Sequence, residues 1–251
     1  MTVYLVGAGP GDPGLLTVAG AALLETCDAV VHDRLVNPVL LERAPRAERF
    51  DVGKRPGVPG PTQAEINDLL ITLGSDGRTV VRLKGGDPMV FGRGSEELSA
   101  VREAGIDVEV VPGVTSAIAA PAAAGIAVTQ RGVSSAVTIT SGHEDPSGPT
   151  SVDWEALGAV HGTIVVLMAT RTIGGIAERL MAGGLSPMTP AAAVTDGTLP
   201  DQVVWSGSIG VIADADVAAP ATFVIGAVAS MLDRQHAVAS SIGHGHGAAA
   251  E

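Results

Sequence analysis

Aromatic side chains are nearly missing from this 251-residue chain, at 2% of its residues. Its cores must therefore be built from Ala, Val, Leu, Ile and Gly, a composition that suits buried parallel strands covered by helices. Cysteine occurs once, as Cys27, which excludes an internal disulfide and fits a reducing compartment. Its setting among Leu23, Leu24 and Val30 reads as a packed helix face rather than a catalytic thiol. Positive charge is scarce: 15 Lys and Arg face 27 Asp and Glu, for a net charge of −12, the opposite of what neutralising nucleic-acid phosphates requires. No apolar run is long enough to span a bilayer, since the stretch from Gly113 to Val128 is made of Ala and Gly and is interrupted by Pro121. Met1 is followed at once by Thr2 to Val6 with no basic region or cleavage site, so the expected location is the cytoplasm.

What is present is ample apolar material, 46% of residues, enough for one large or two compact domains. Short apolar runs alternate with helix-like segments. Val3 to Val6, Ala29 to His32, Thr79 to Leu83 and Val108 to Val111 read as strands, and Leu16 to Thr26, Ile66 to Leu73 and Glu96 to Ala104 as helices. Such alternation predicts right-handed crossovers and a mostly parallel sheet. A second set, with strands at Ala136 to Thr140, Thr163 to Met168, Ala191 to Thr195 and Thr222 to Val228 and a helix at Ile173 to Gly183, predicts a second α/β domain. The expected division is 1–115, 116–233 and a tail over 234–251 of Ala, Gly, Ser and His with no apolar period. Charge is unevenly spread. Residues 1–131 hold 12 of the 15 basic side chains, so an anionic ligand finds its counter-charges mainly there.

Two glycine loops stand at predicted strand ends, where open α/β sheets bind ligands. The first is Gly7-Ala8-Gly9-Pro10-Gly11-Asp12-Pro13-Gly14 and the second is Arg82-Leu83-Lys84-Gly85-Gly86-Asp87-Pro88-Met89-Val90-Phe91-Gly92-Arg93-Gly94, whose charged residues are expected to face one crevice. Gly9, Gly11 and Gly14 formally satisfy a dinucleotide fingerprint, with Asp33 about twenty residues on. That makes a dinucleotide-binding oxidoreductase the competing enzyme class. Pro10 and Pro13 count against it, because they remove amide donors where a pyrophosphate needs a helix N-terminus.

The first loop, His32-Asp-Arg-Leu-Val36, Val52-Gly-Lys-Arg55, Arg82 to Gly94, Val111-Pro-Gly-Val-Thr-Ser116, Ala124 to Thr129, Gly142-His143 and Met168 together resemble the tetrapyrrole methylases, in their uroporphyrinogen-III branch. The resemblance covers nearly the whole chain except the tail. It implies two α/β domains of that family's type, usually a homodimer, with S-adenosylmethionine in the interdomain cleft and no metal. The implied activity is methylation of uroporphyrinogen III at C2 and C7 to precorrin-2, toward sirohaem and cobalamin. Another precorrin methylase, or a non-catalytic tetrapyrrole carrier, are the alternatives.

Residue by residue, the resemblance implies cofactor contacts at Pro10, Gly85, Gly86, Asp87, Val90, Thr115, Ser116, Met168 and Gly197, and proton-transfer roles for Asp33 and Lys54. Without the resemblance, Asp33 reads equally as a strand-end carboxylate paired to Arg34 or Lys54. A substrate with eight carboxylates makes Arg34, Arg55, Arg93 and Arg131 candidate partners, with His143 a further one. Two positions depart from the family pattern: Thr129-Gln130-Arg131 lacks the usual histidine, and Met168-Ala169 replaces Met-Gly, which is expected to tighten the cofactor pocket. Methyl transfer from a sulfonium needs positioning more than acid, base or metal, and a carboxylate suffices to take the proton released afterwards. Of two lysines against thirteen arginines, both, Lys54 and Lys84, fall in motif loops.

Overall fold

In the computed structural model the described residues are 2–53, 60–146, 148 and 152–232. Contacts divide the chain into two compact units, Met1–Ser116 and Ala117–Glu251.

The first unit is built on strands β1 (Thr2–Gly7), β2 (Ala29–His32), β3 (Glu48–Asp51), β4 (Val80–Lys84) and β5 (Asp107–Val111), in the order β3-β2-β4-β1-β5. Every pairing is parallel, as each strand returns through a crossover. Helices α1 (Val18–Thr26), α2 (Gln63–Ser75) and α3 (Gly94–Glu103) cover it. Residues of β1, β2 and β4 alternate between two cores. Val3, Leu5, Ala29, Val31 and Val80 pack with Ile66, Leu70 and Leu73 of α2 and Val101 of α3. Val6, Val30, Val81 and Leu83 pack with Leu24, Cys27 and Leu40 on the other face. With both faces buried, these strands read as continuous apolar runs. α2 starts where Thr62 and Glu65 form a reciprocal capping box.

The second unit has α4 (Ser116–Ala123), β6 (Val137–Ser141), α5 (Trp154–Gly158), β7 (Thr163–Leu167), α6 (Ile173–Ala182), β8 (Pro190–Thr195), β9 (Val203–Ser208) and β10 (Ala221–Ile225). Its sheet runs β6-β7-β10-β8-β9. Only β6 with β7 is parallel, whereas the β7–β10, β10–β8 and β8–β9 pairs are antiparallel. The sheet is thus mixed, because β8 is followed by a hairpin partner, β9, and not by a crossover helix. Trp154, Ile176, Leu180, Ile209 and Phe223 form the larger core on one face. Ala120, Ala124 and Ile126 cover the other. The segment from Gly113 to Val128 is, as its composition suggests, a loop followed by the largely buried helix α4. No helix among the described residues is long and apolar enough to cross a membrane.

Candidate cofactor and substrate site

Three loops follow the carboxyl ends of neighbouring strands β4, β1 and β5, and they meet backbone to backbone. A Cβ built on Gly7 would lie 2.5 Å from the Cα of Gly113 and 2.7 Å from the carbonyl of Gly86. One on Gly113 would collide with that same carbonyl. No side chain can enter this junction, which accounts for glycine at Gly7 and Gly113. Gly9 and Gly86 exchange hydrogen bonds of 3.2 and 2.7 Å, a two-residue bridge between the first two loops. Asp87 ties in the third: its Oδ1 accepts from Met89 N at 2.8 Å and its Oδ2 from Gly113 N at 2.9 Å.

This geometry excludes a dinucleotide grip at the first loop. The Gly9 amide is spent on Gly86, a short 3-10 turn at Pro13–Leu15 precedes α1, and α1 is capped by Thr17 accepting from Gly20 N at 3.1 Å. No helix N-terminus opens directly onto the loop.

Gly85 and Gly86 offer space instead. A Cβ on Gly86 (φ 67°) would meet only Thr115 Cα at 3.8 Å and Ser116 N at 3.9 Å, and one on Gly85 only Leu35 Cβ at 3.6 Å. Pro10, Gly85, Gly86, Asp87, Val90, Thr115 and Ser116 thus belong to loops drawn together in the first unit, around a cradle that side chains at 85 and 86 would fill. In the second unit Met168 follows β7, and Gly197 follows β8. These two strands run in the same direction, so the two residues share one sheet edge, as does His143 after β6. Gly197 also has a packing reason, since a Cβ there would collide with that of Ala120. Five described non-glycine residues have positive φ: Phe91, Arg93, Met168, Asp196 and Thr198. All five sit in these strand-end loops, in a conformation that is rare for side chains other than glycine.

The second loop does not aim all its charges at one crevice. Arg82 and Lys84 are 2% and 3% exposed and point inward, because they share the β4 face of Val80, which packs on α2 and α3. Lys84 Nζ contacts the Glu97 carboxylate at 3.0 Å, and burial, with Arg82 nearby, holds its ammonium below the usual lysine range. Arg93 is exposed and bound to Glu96 by two 2.8 Å hydrogen bonds. The partner of Asp33 is neither Arg34 nor, among described residues, any loop cation, but Arg82, whose Nη2 donates to Oδ1 at 2.5 Å. Asp33 itself remains a third exposed. Arg34 is exposed beside it, against the close-packed Gly53.

His143 is exposed, with its Nδ1 3.0 Å from Ser141 Oγ. Arg131 lies in the turn Gln130–Ser134, anchored through Ser134 to Thr163 at the start of β7. That is the sheet edge opposite His143 and Met168, so the structure does not bring Arg131 to them. Lys54 and Arg55 lie outside the described residues, as does the tail. The Ala169 methyl is fully buried in the core with Ile176, against Gly142, so this departure fills core space and does not narrow a ligand pocket. Cys27 is the buried C-cap of α1, its thiol pushed up to about 11 by burial. Among the described residues no group of His, Cys, Asp and Glu could hold a metal.

Glycine loops that gather at the strand ends of the first unit's parallel sheet, around an open cradle, define the kind of place where α/β proteins bind small molecules. The chain belongs to the tetrapyrrole (corrin/porphyrin) methylases, whose family profile matches residues 2–213. It is 48% identical over 237 residues to the S-adenosyl-L-methionine-dependent uroporphyrinogen III methyltransferase of Methanosarcina barkeri, covering 92% of this chain and 93% of that one. It is 47% identical over 232 residues to the uroporphyrinogen-III C-methyltransferase of Synechocystis, covering 90% and 88%. Among solved structures, uroporphyrin-III C-methyltransferase from Thermus thermophilus, in complex with S-adenosylhomocysteine, superposes with a TM-score of 0.81 at 38% identity, covering 92% of this chain and 100% of that one.

Proposed function

We propose that this chain uses S-adenosylmethionine to methylate uroporphyrinogen III at two pyrrole carbons, C2 and C7, releasing precorrin-2 and S-adenosylhomocysteine. The observation that carries this reading is the open cradle over Gly85 and Gly86, braced by the Gly7–Gly86–Gly113 junction in a chain of this family. The cofactor supplies a methyl group already activated by its sulfonium. The chain's own task is to hold reactants in line and dispose of a proton. Backbone at Pro10, Gly85, Gly86, Asp87 and Val90, with Thr115 and Ser116, forms the cofactor bed in the first unit. For Met168 and Gly197 of the second unit a cofactor contact rests on the resemblance alone. The side chain of Asp87 is occupied in joining loops, so its contribution to the ligand is backbone placement.

As the pyrrole carbon bonds to the methyl, the S–C bond breaks and the ring system becomes a cation that sheds a proton. Asp33, part exposed with one oxygen fixed by Arg82, is the base, and Lys54 is its partner in proton transfer. Arg34 and Arg55 meet substrate carboxylates, with Arg93 available on breaking its exposed pair with Glu96. His143 offers a further hydrogen bond. A cytoplasmic homodimer completes the reading.

Incubation with excess S-adenosylmethionine and enzymatically prepared uroporphyrinogen III tests it. Mass spectrometry is expected to show two added methyl groups at exhaustion. A single methyl, or turnover only with an already methylated precorrin, would replace this substrate assignment by another of the same family.

A further inference from the structure

Among the described residues of the first unit, three charged side chains are buried. Glu97 of α3 is 0% exposed, and Arg82 and Lys84 of β4 are 2% and 3% exposed. The Oε1 of Glu97 accepts from Arg82 Nε at 3.1 Å, from Lys84 Nζ at 3.1 Å and from Gln63 Nε2 at 3.2 Å. Its Oε2 has Lys84 as an ion-pair partner at 3.0 Å and no hydrogen-bond donor. The far side of the Arg82 guanidinium reaches Asp33, while Nη1 contacts the carbonyls of Val31 and Leu83 at 3.4 Å. With Asp33 counted, two anions face two cations and the cluster is neutral.

Stability does not explain this cluster. Buried ion pairs contribute little beyond well-packed apolar side chains of the same volume, and Val80, Leu70 and Val101 already fill the core on that face. What the cluster supplies is geometry. A planar guanidinium can bind one carboxylate through Nε and another through Nη2 at once, which an ammonium on a flexible stem cannot do. Asp33 stands on a short loop after β2, and Arg82 is the strut that sets its carboxylate. The strut is fixed from inside by Glu97.

We infer that Glu97 is a positioning residue for methyl transfer: through Arg82 it holds the carboxylate of Asp33 in its working place, with Lys84 as the counter-charge. The inference rests on the reading of Asp33 as the base.

The test uses the full chain with S-adenosylmethionine and uroporphyrinogen III, reading kcat, KM, the Kd of S-adenosylhomocysteine and the melting temperature. Glu97→Gln keeps the side-chain volume and removes the charge. Its kcat is expected to fall roughly 10²-fold, the scale of a 1 Å misplacement of a reacting group, with the Kd unchanged. The charge-balanced Glu97→Gln/Lys84→Met variant is expected to regain the lost melting temperature without regaining kcat. It carries the test alone if the single variant does not fold. Normal kcat in Glu97→Gln, or recovery of kcat together with melting temperature in the double variant, overturns the positioning role. Asp33→Asn separates the two claims. Full activity there removes the base reading itself, whereas an inactive Asp33→Asn beside an active Glu97→Gln removes only the role of Glu97.

Discussion

The two units are similar in size and layering but opposite in how they treat polarity. The first encloses Arg82, Lys84 and Glu97, while the buried polar residues of the second, among those described, are hydroxyls: Ser134, Thr140, Thr163, Thr195 and Thr222. The first sheet is wholly parallel and the second mostly antiparallel. A parallel sheet gathers its strand ends, and hence its loops, at one edge, and charges threaded through the strand beneath can fix what those loops display. An antiparallel sheet divides its loops between two edges and contributes fewer of them to a site. The proton handling proposed for Asp33 would thus fall in the unit that buries charge, while the second unit's core is predominantly apolar.

The sharpest way to break that contrast is to remove a buried group from each side. Glu97→Leu leaves Arg82 and Lys84 with Asp33 as their remaining anion, one buried positive charge in excess, and is expected to cost about 3–5 kcal/mol. Thr163→Val, which breaks a buried 2.8 Å hydroxyl pair with Ser134, is expected to cost about 1 kcal/mol. Urea unfolding of both variants measures the difference, and equal losses would show that the first unit's charges are not special.

A smaller effect on stability, but a decisive one on binding, separates two kinds of glycine within the first unit. Gly86→Val is expected to abolish S-adenosylhomocysteine binding in calorimetry, because its side chain enters the open cradle, at a folding cost of roughly 1–2 kcal/mol for a β-branched residue at positive φ. Gly113→Ala drives a methyl into the Gly86 carbonyl and should lower the melting temperature as well as affinity. Retained affinity in Gly86→Val would take that residue out of the site.

The smallest effect concerns Cys27. Because its folded-state thiol is raised to about 11 from 9.0, the folded protein keeps a proton that the unfolded chain gives up. Stability is therefore lost as pH rises from about 9 toward 11. Cys27→Ala should lack this component of the alkaline decline, and equal slopes for both proteins would show that the thiol is not shielded.

Strands buried on both faces were legible in the sequence because burial itself writes the apolar run. Ala29 to His32 coincides with β2, and β1, β4, β7 and β8 differ by one residue at their ends, whereas β10 ends at Ile225, three residues before the expected Val228. The edge strands β3 and β9 escaped notice. Glu48-Arg49-Phe50-Asp51 and Val203 to Ser208 each have one neighbour and a largely open flank, so neither is written as a continuous apolar run. The antiparallel run of β10 was equally hidden, since direction leaves no mark on hydrophobicity.

At the site, the glycine loops announced themselves by motif. The charge cluster did not, because Glu97 beside Ser95 and Glu96 looks like any solvated helix face. One signal was available: Arg82 and Lys84 stand two apart in Val-Val-Arg-Leu-Lys, on one face of a buried strand. Charges there require a buried counter-charge. The same alternation carries over to Asp33, in phase with Ala29 and Val31.

The glycine junction has a consequence for biogenesis. Gly7 belongs to the first loop of the first unit and Gly113 to its last, after β5 has added to the outside of β1. Strands β1 and β4 can pair earlier, but the floor of the cradle lacks one wall until β5 arrives. A nascent or truncated chain that stops before this point carries the recognisable motifs but lacks the Gly113 to Ser116 side of the cradle, so the proposed site is complete only once the sheet is.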